Sequence, residues 1–147
     1  EKVHPQHNKY MSFIVCTIHK SASHDRLDIL EHYLNNSNID REKLANCPFG
    51  NQDYTPIFRA AYKGNIMTLK LLICANADIT IKNSQNESVL DAIEEGRIQH
   101  IKKNPDDAIF INERYNECKQ FISNYKIRED KEIIFKPTRI KKSTTEI

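Results

Sequence analysis

Apolar residues recur with the spacing of one helix face in three stretches of the chain. In each stretch they fall at i, i+3 and i+6 or i+7, and so lie on one side of a helix. The three sets are Leu27, Leu30 and Tyr33/Leu34; Ile66, Leu69 and Leu72/Ile73; and Tyr115, Cys118 and Phe121/Ile122. The repetition predicts three amphipathic helices that are copies of one structural unit.

The signals of a shorter helix precede the central copy. Thr55 can accept a hydrogen bond from backbone amides as an N-cap, and Pro56 stands at the first helical position, where its missing N–H costs nothing. Ala60 and Ala61 leave room for a neighbouring helix, and Gly64 permits the reversal into a second helix. A helix pair this small cannot bury its apolar face alone, so stacked neighbours are required.

The 33 residues from Gly50 to Lys82 resemble an ankyrin repeat. The matching positions are Thr55, Pro56, Ile57, Ala60, Ala61, Gly64, Ile66, Leu69, Leu71, Leu72, Ile73, Ala77 and Asp78, with Phe58 where histidine is usual. A degraded second copy begins at Asn83 and keeps the 33-residue offset at Ser88 and Leu90. The resemblance implies an all-α ankyrin-repeat helical solenoid with divergent capping repeats and an extended C-terminal helix.

We expect an ankyrin-repeat domain at residues 10–125, between an N-terminal tail at 1–9 and a basic C-terminal tail at 126–147. Its repeats are expected at about 10–49, 50–82 and 83–125. The spacing of the three apolar sets implies six extra residues in the first repeat and 16 between the two helices of the last.

Two details support the outer repeats. In the first, Thr17–His19 resembles the P-L-H start of the family pattern, and Asp25 holds the position of the turn glycine. In the last, Asn104 followed by Pro105 and two aspartates is typical of a helix start. The final helix is therefore expected from about Pro105 to about Tyr125.

Ankyrin repeats as a family are non-catalytic modules that bind other proteins through loop tips and the exposed side of each first helix. The resemblance therefore implies a partner-binding face and no catalytic residue, metal or cofactor. In this chain the residues of that partner-binding face are Asn51, Gln52, Tyr54, Arg59, Tyr62, Lys63, Ser84, Gln85, Glu87 and Glu95. Tyr and Arg dominate interface energetics, although Tyr62 and Phe58 could instead pack between repeats.

Charge argues against a strongly basic binding surface. Lys and Arg total 22 and Asp and Glu 20, a net charge of +2, too small to drive nucleic-acid or membrane binding. The positive excess lies in residues 126–147, which we expect to be solvated and disordered. Alternatives are a segment around 133–135 that docks on the repeats, a salt-sensitive nucleic-acid contact, or a PDZ-type ligand at 145–147 if Ile147 is the native terminus.

Cysteine spacing does not favour a metal or redox site. Cys16, Cys47, Cys74 and Cys118 are too far apart for such pairs, and are typical of packing thiols in a cytosolic protein. Cys16 and His19 could form a thiol–base pair on a helix, but their apolar surroundings would stabilise a thiolate poorly. The chain has no run of 18 apolar residues, no phosphate-binding loop and no common hydrolase motif.

We therefore expect a monomeric, cytoplasmic interaction module, not an enzyme, that binds another protein and is a fragment of a longer chain. The alternative is a segment that positions substrates for a catalytic domain outside these residues. Twenty isoleucines, fourteen asparagines and no tryptophan indicate an AT-rich genome. Together with the repeat, this composition resembles ankyrin effectors that intracellular bacteria deliver into the host cytosol.

Overall fold

The computed structural model describes residues 5–36, 38–50 and 53–131, and this part of the chain is an all-α helical solenoid. Its α-helices are α1 Pro5–Ser23, α2 Leu27–Asn36, α3 Arg41–Ala45, α4 Pro56–Lys63, α5 Ile66–Cys74, α6 Val89–Lys103 and α7 Ala108–Lys131, with a 3₁₀ turn at Pro105–Asp107. Extended pairing within these ranges is limited to one antiparallel bridge between Phe49 and Tyr54. The predicted fold class is confirmed.

Three helix pairs stack in two layers. Helix α4 packs between α1 and α6 in one layer, while α5 contacts α2 and α7 in the other. The short α3, in the longer connection after the first pair, packs on α1 and α2. The apolar sets predicted from spacing supply the core, which includes Ile18, Leu30, Leu69, Leu72, Tyr115 and Ile122.

The reversals between paired helices follow from residues that tolerate a left-handed backbone. Gly64 ends α4 with φ of 69°, and Asp25, at the equivalent place after α1, has φ of 55°. Aspartate is among the few residues with a side chain that adopt this region readily. The assignment of Asp25 to the turn-glycine position agrees with this geometry.

The prediction that the Thr55 side chain caps α4 is wrong. Thr55 stands at the N-cap of α4, but its hydroxyl makes no capping hydrogen bond and is buried without a partner. The amide of Phe58, which such a cap would satisfy, donates instead to the backbone carbonyl of Thr55 at 3.0 Å. A capping box is found at the equivalent Ser88, whose hydroxyl and backbone N–H pair with the amide and carboxylate of Asp91.

The helices at both ends extend further than the sequence predicts. Helix α1 begins at Pro5, inside the expected N-terminal tail, and α7 continues to Lys131, past the expected boundary at 126. The 16-residue insertion lengthens both helices of the last pair to 15 and 24 residues, against 8 and 9 in α4 and α5. The remaining tail residues, 132–147, lie outside the described part of the chain.

The predicted start of the last helix is also corrected. Asn104 does not cap it with its side chain; the amide group of Asn104 donates to the carbonyl of His100 at 3.2 Å, at the end of α6. A 3₁₀ turn follows, and α7 begins at Ala108. The Asn-Pro-Asp-Asp sequence therefore makes the reversal between α6 and α7.

Candidate partner-binding groove

A groove of about 590 Å³ lies between α4, α6 and the loop that precedes α6. Residues predicted from separate parts of the sequence meet there: Tyr54, Arg59, Tyr62, Lys63, Gln85, Glu87 and Glu95. Of the other three, Ser84 is exposed but does not line the groove, and Asn51 and Gln52 lie outside the described residues.

The groove is also lined by three residues that the sequence analysis did not assign to a binding face. Phe58 is buried, with 1% of its surface exposed. Ser23 and Ala92 contribute from α1 and α6. Their positions could have been found from the repeat offsets, because Ser23 lies 39 residues before Tyr62 and Ala92 lies 33 after Arg59.

Aromatic and cationic groups stack along one wall. The Tyr54 and Phe58 rings are 5.8 Å apart, and the Arg59 guanidinium lies 4.9 Å from the Tyr54 ring centroid, within cation–π range. Burial raises the pKa of Tyr54, so its phenol stays protonated at neutral pH. The wall offers an apolar surface with one hydroxyl and one cation.

Arg59 is held from behind by the first helix pair. Its Nε donates to Nδ1 of His19 at 3.2 Å, and its Nη2 donates to the carbonyl of Phe49 at 3.1 Å. Nε2 of His19 donates in turn to the carbonyl of Cys47 at 2.7 Å, because Nδ1 already accepts from Arg59. These bonds therefore fix the position of the Arg59 side chain in the groove before any partner binds.

These bonds exclude His19 as a base for Cys16. Both ring nitrogens of His19 are occupied by Arg59 and Cys47, and burial lowers its pKa to about 4. The four cysteines are free thiols, and burial raises the pKa of Cys47 and Cys118 to about 11. These two thiols are protonated at neutral pH and are unreactive by this criterion.

A buried asparagine shapes the opposite wall. Asn83 accepts hydrogen bonds from the amides of Gln85 and Glu87 at 2.9 and 3.0 Å, and its side-chain amide donates to the Glu87 carboxylate at 2.8 Å. The Glu95 carboxylate accepts from Gln99 at 2.9 Å. Two oriented carboxylates thus face the cationic residues of α4.

Metal ligands are not clustered in the described part of the chain. Within residues 5–36, 38–50 and 53–131, no three His, Cys, Asp or Glu side chains are grouped as they would be to hold a metal ion. No helix in these ranges combines the length and the apolar character needed to cross a membrane.

The comparison with known proteins agrees with the helix pairs. Residues 52–84 match the family model of the ankyrin repeat, which covers the loop before α4, the α4–α5 pair and the start of the next loop. No curated protein and no solved structure matches the chain. Residues 52–84 therefore form an ankyrin repeat, and it lies within a stack of three helix pairs.

Proposed function

We propose that the chain is a non-catalytic interaction module that binds a partner protein in the groove between α4 and α6. The observation that carries the proposal is the convergence of seven residues from two separate stretches, 54–63 and 85–95, on one concavity. Concave sites that combine apolar surface with a few oriented polar groups are where ligands bind. The four free thiols suit a reducing compartment, and we propose that the module acts as a monomer in the cytoplasm.

Pre-ordering supports binding by this face. Arg59, Glu87 and Glu95 already have intramolecular hydrogen bonds, so little side-chain entropy is lost when a partner docks. Tyr62 is 39% exposed, which leaves its ring for an apolar contact. A partner segment with an apolar residue between opposite charges would match the groove.

The test is affinity capture from a cytosolic lysate with the wild-type chain and with Tyr54→Ala/Tyr62→Ala, followed by calorimetry with the captured protein. We expect binding weakened about tenfold or more, as for two interface anchors. Tyr10→Ala is the matched control, because Tyr10 is 56% exposed on α1 and lies outside the groove.

A second variant separates binding from folding, because Tyr54 packs on Phe58. Glu95→Lys reverses an exposed charge in the groove. The Glu95 carboxylate accepts only a surface hydrogen bond from Gln99 on the next turn, so we expect the fold to tolerate the change. Equal capture and equal affinity for the wild-type chain, the double variant and Glu95→Lys would overturn the proposal.

A further inference from the structure

A smaller pocket of about 150 Å³ lies where α4, α6 and α7 meet, at the carboxyl ends of α4 and α6. Its lining includes Lys63, His100 and Lys103, and contains no aspartate or glutamate. We call Lys63, His100, Lys103 and the adjoining Arg114 the cationic pocket. It gathers basic groups in a chain whose net charge is only +2.

Hydrogen bonds hold Arg114 and His100 beside the carboxyl end of α4. Nη2 of Arg114 donates to the carbonyl of Lys63 at 2.9 Å and lies 3.1 Å from Nδ1 of His100. Tyr115 donates from its hydroxyl to the carbonyl of Tyr62 at 2.8 Å, and the same hydroxyl is 3.3 Å from Nδ1 of His100. Residues from three helices are thus fixed around one point.

His100 lines the pocket with a neutral ring. A guanidinium nitrogen can only donate, so Nδ1 of His100 accepts from Arg114 and the ring proton resides on Nε2. Burial is the first cause of its lowered pKa, followed by the charges of Arg114, Lys63 and Lys103; Asp107 in the 3₁₀ turn acts in the opposite direction.

Each lysine of the cationic pocket is the last residue of its helix. A lysine at the carboxyl end of α4 or α6 is favourable by itself, because that end carries partial negative charge. Among the charges that act on His100, those of Arg114, Lys63 and Lys103 lower its pKa and only that of Asp107 raises it. The positive potential is left uncompensated by any carboxylate in the pocket lining.

We propose that the cationic pocket binds a phosphate group. A phosphate carries close to two negative charges and several acceptor oxygens, and can therefore bond to lysine, arginine and imidazole groups presented by different helices at once. A carboxylate has only one charge to set against the same cations. The volume of the pocket suits a single tetrahedral oxyanion.

The groove and the cationic pocket share two lining residues. Tyr62 and Lys63 line both, so a protein segment lying in the groove could place a phosphorylated side chain in the pocket. A free phosphate compound is the other source of the same group. Only the first source depends on the proposed function of the groove; the phosphate site itself does not.

The test is an NMR titration of the histidine rings with inorganic phosphate, against sodium chloride at equal ionic strength. We expect phosphate, and not chloride, to raise the pKa of His100 toward its usual value. The exposed His24, in the turn after α1, is the internal control and should not respond. Lys63→Ala and Lys103→Ala should each weaken phosphate binding about fivefold, the effect of one removed charge a few ångströms away.

The matched control variant is Lys102→Ala, which removes the same charge from an exposed neighbour that does not line the pocket. No response of His100, or equal weakening by Lys102→Ala, would overturn the proposal. Capped phosphoserine then distinguishes the sources: tighter binding than inorganic phosphate indicates a phosphorylated side chain, and weaker binding indicates a free compound. Tyr54 lines the groove and not the cationic pocket, so loss of partner capture by Tyr54→Ala with phosphate binding intact separates the two proposals.

Discussion

Single residues join the first helix pair to the second. The sequence predicts different roles for His19 and Arg59: His19 is the histidine of the repeat motif, and Arg59 is a partner contact. The structure links them by a hydrogen bond of 3.2 Å that connects α1 to α4. Because His19 is almost fully buried and must accept at Nδ1, it has to remain neutral in the folded chain.

This neutrality predicts acid sensitivity. The pKa of His19 is about 4 in the folded chain and about 6.5 when unfolded, so the unfolded state binds more protons between these values. The contribution of neutral His19 to the free energy of unfolding is complete above about pH 6.5, falls as pH decreases, and is lost near pH 4. Its upper limit is about 3 kcal/mol of unfolding free energy. Urea unfolding between pH 7.5 and pH 4.5 measures it.

His19→Gln keeps a donor for the Cys47 carbonyl but cannot titrate, so we expect it to flatten the pH dependence. His24→Gln, at an exposed position, should retain the wild-type dependence. Should His19→Gln lose as much stability in acid as the wild-type chain, the source must be another group.

At the scale of helices, the packing of α6 on α4 depends on Gly96. Gly96 follows the turn residue Gly64 by 32 positions, one short of the 33-residue repeat offset, yet it lies in the middle of α6. A β-carbon there would lie 1.9 Å from the carbonyl oxygen of Tyr62. Gly96 therefore serves close helix contact and not chain reversal.

Gly96→Ala tests this contact. Helix propensity alone would stabilise α6 by about 1 kcal/mol, but the clash is with backbone, which cannot rotate away. We expect a net destabilisation of about 2 kcal/mol in chemical denaturation, typical of overpacking. Glu95→Ala, at the neighbouring exposed position, should change stability by less than about 0.5 kcal/mol. A more stable Gly96→Ala variant would show that α6 is not held at this distance.

At the scale of the whole molecule, α7 completes the last described helix pair. Its buried residues are Ile111, Tyr115, Cys118 and Ile122, each at most 5% exposed. They pack against α5 and α6, so that the last helix pair is completed by a helix of 24 residues. Each pair of a solenoid depends on its neighbour for burial of its apolar face.

Truncation after Asn104 should therefore abolish cooperative unfolding of the chain, as followed by circular dichroism. It uncovers the α6 surface that α7 buries, including Ile93. Truncation after Lys131 removes only residues beyond α7 and should leave the transition in place. Equal melting of the two truncated chains would mean that α7 does not serve as the cap.

The sequence alone determined the helix pairs, because local rules govern them. Apolar spacing, the alanine pair and residues that accept positive φ act within a few positions and predicted α4, α5 and their reversal. The resemblance to the repeat also assigned the seven groove residues to one face, because equivalent positions of successive repeats lie side by side in a stack.

Only tertiary structure decided how the extra residues are used. The 16-residue insertion continued the helices instead of forming a loop, because their added turns gained burial between α6 and α7. Gly96 and Thr55 are residue types that local patterns assign to a turn and to a helix cap, but neither side chain has that role. Gly96 allows α6 to approach the Tyr62 carbonyl, and the Thr55 carbonyl, not its hydroxyl, accepts from Phe58. The cationic pocket joins Lys63 to Arg114, 51 positions apart, a proximity that no local pattern encodes.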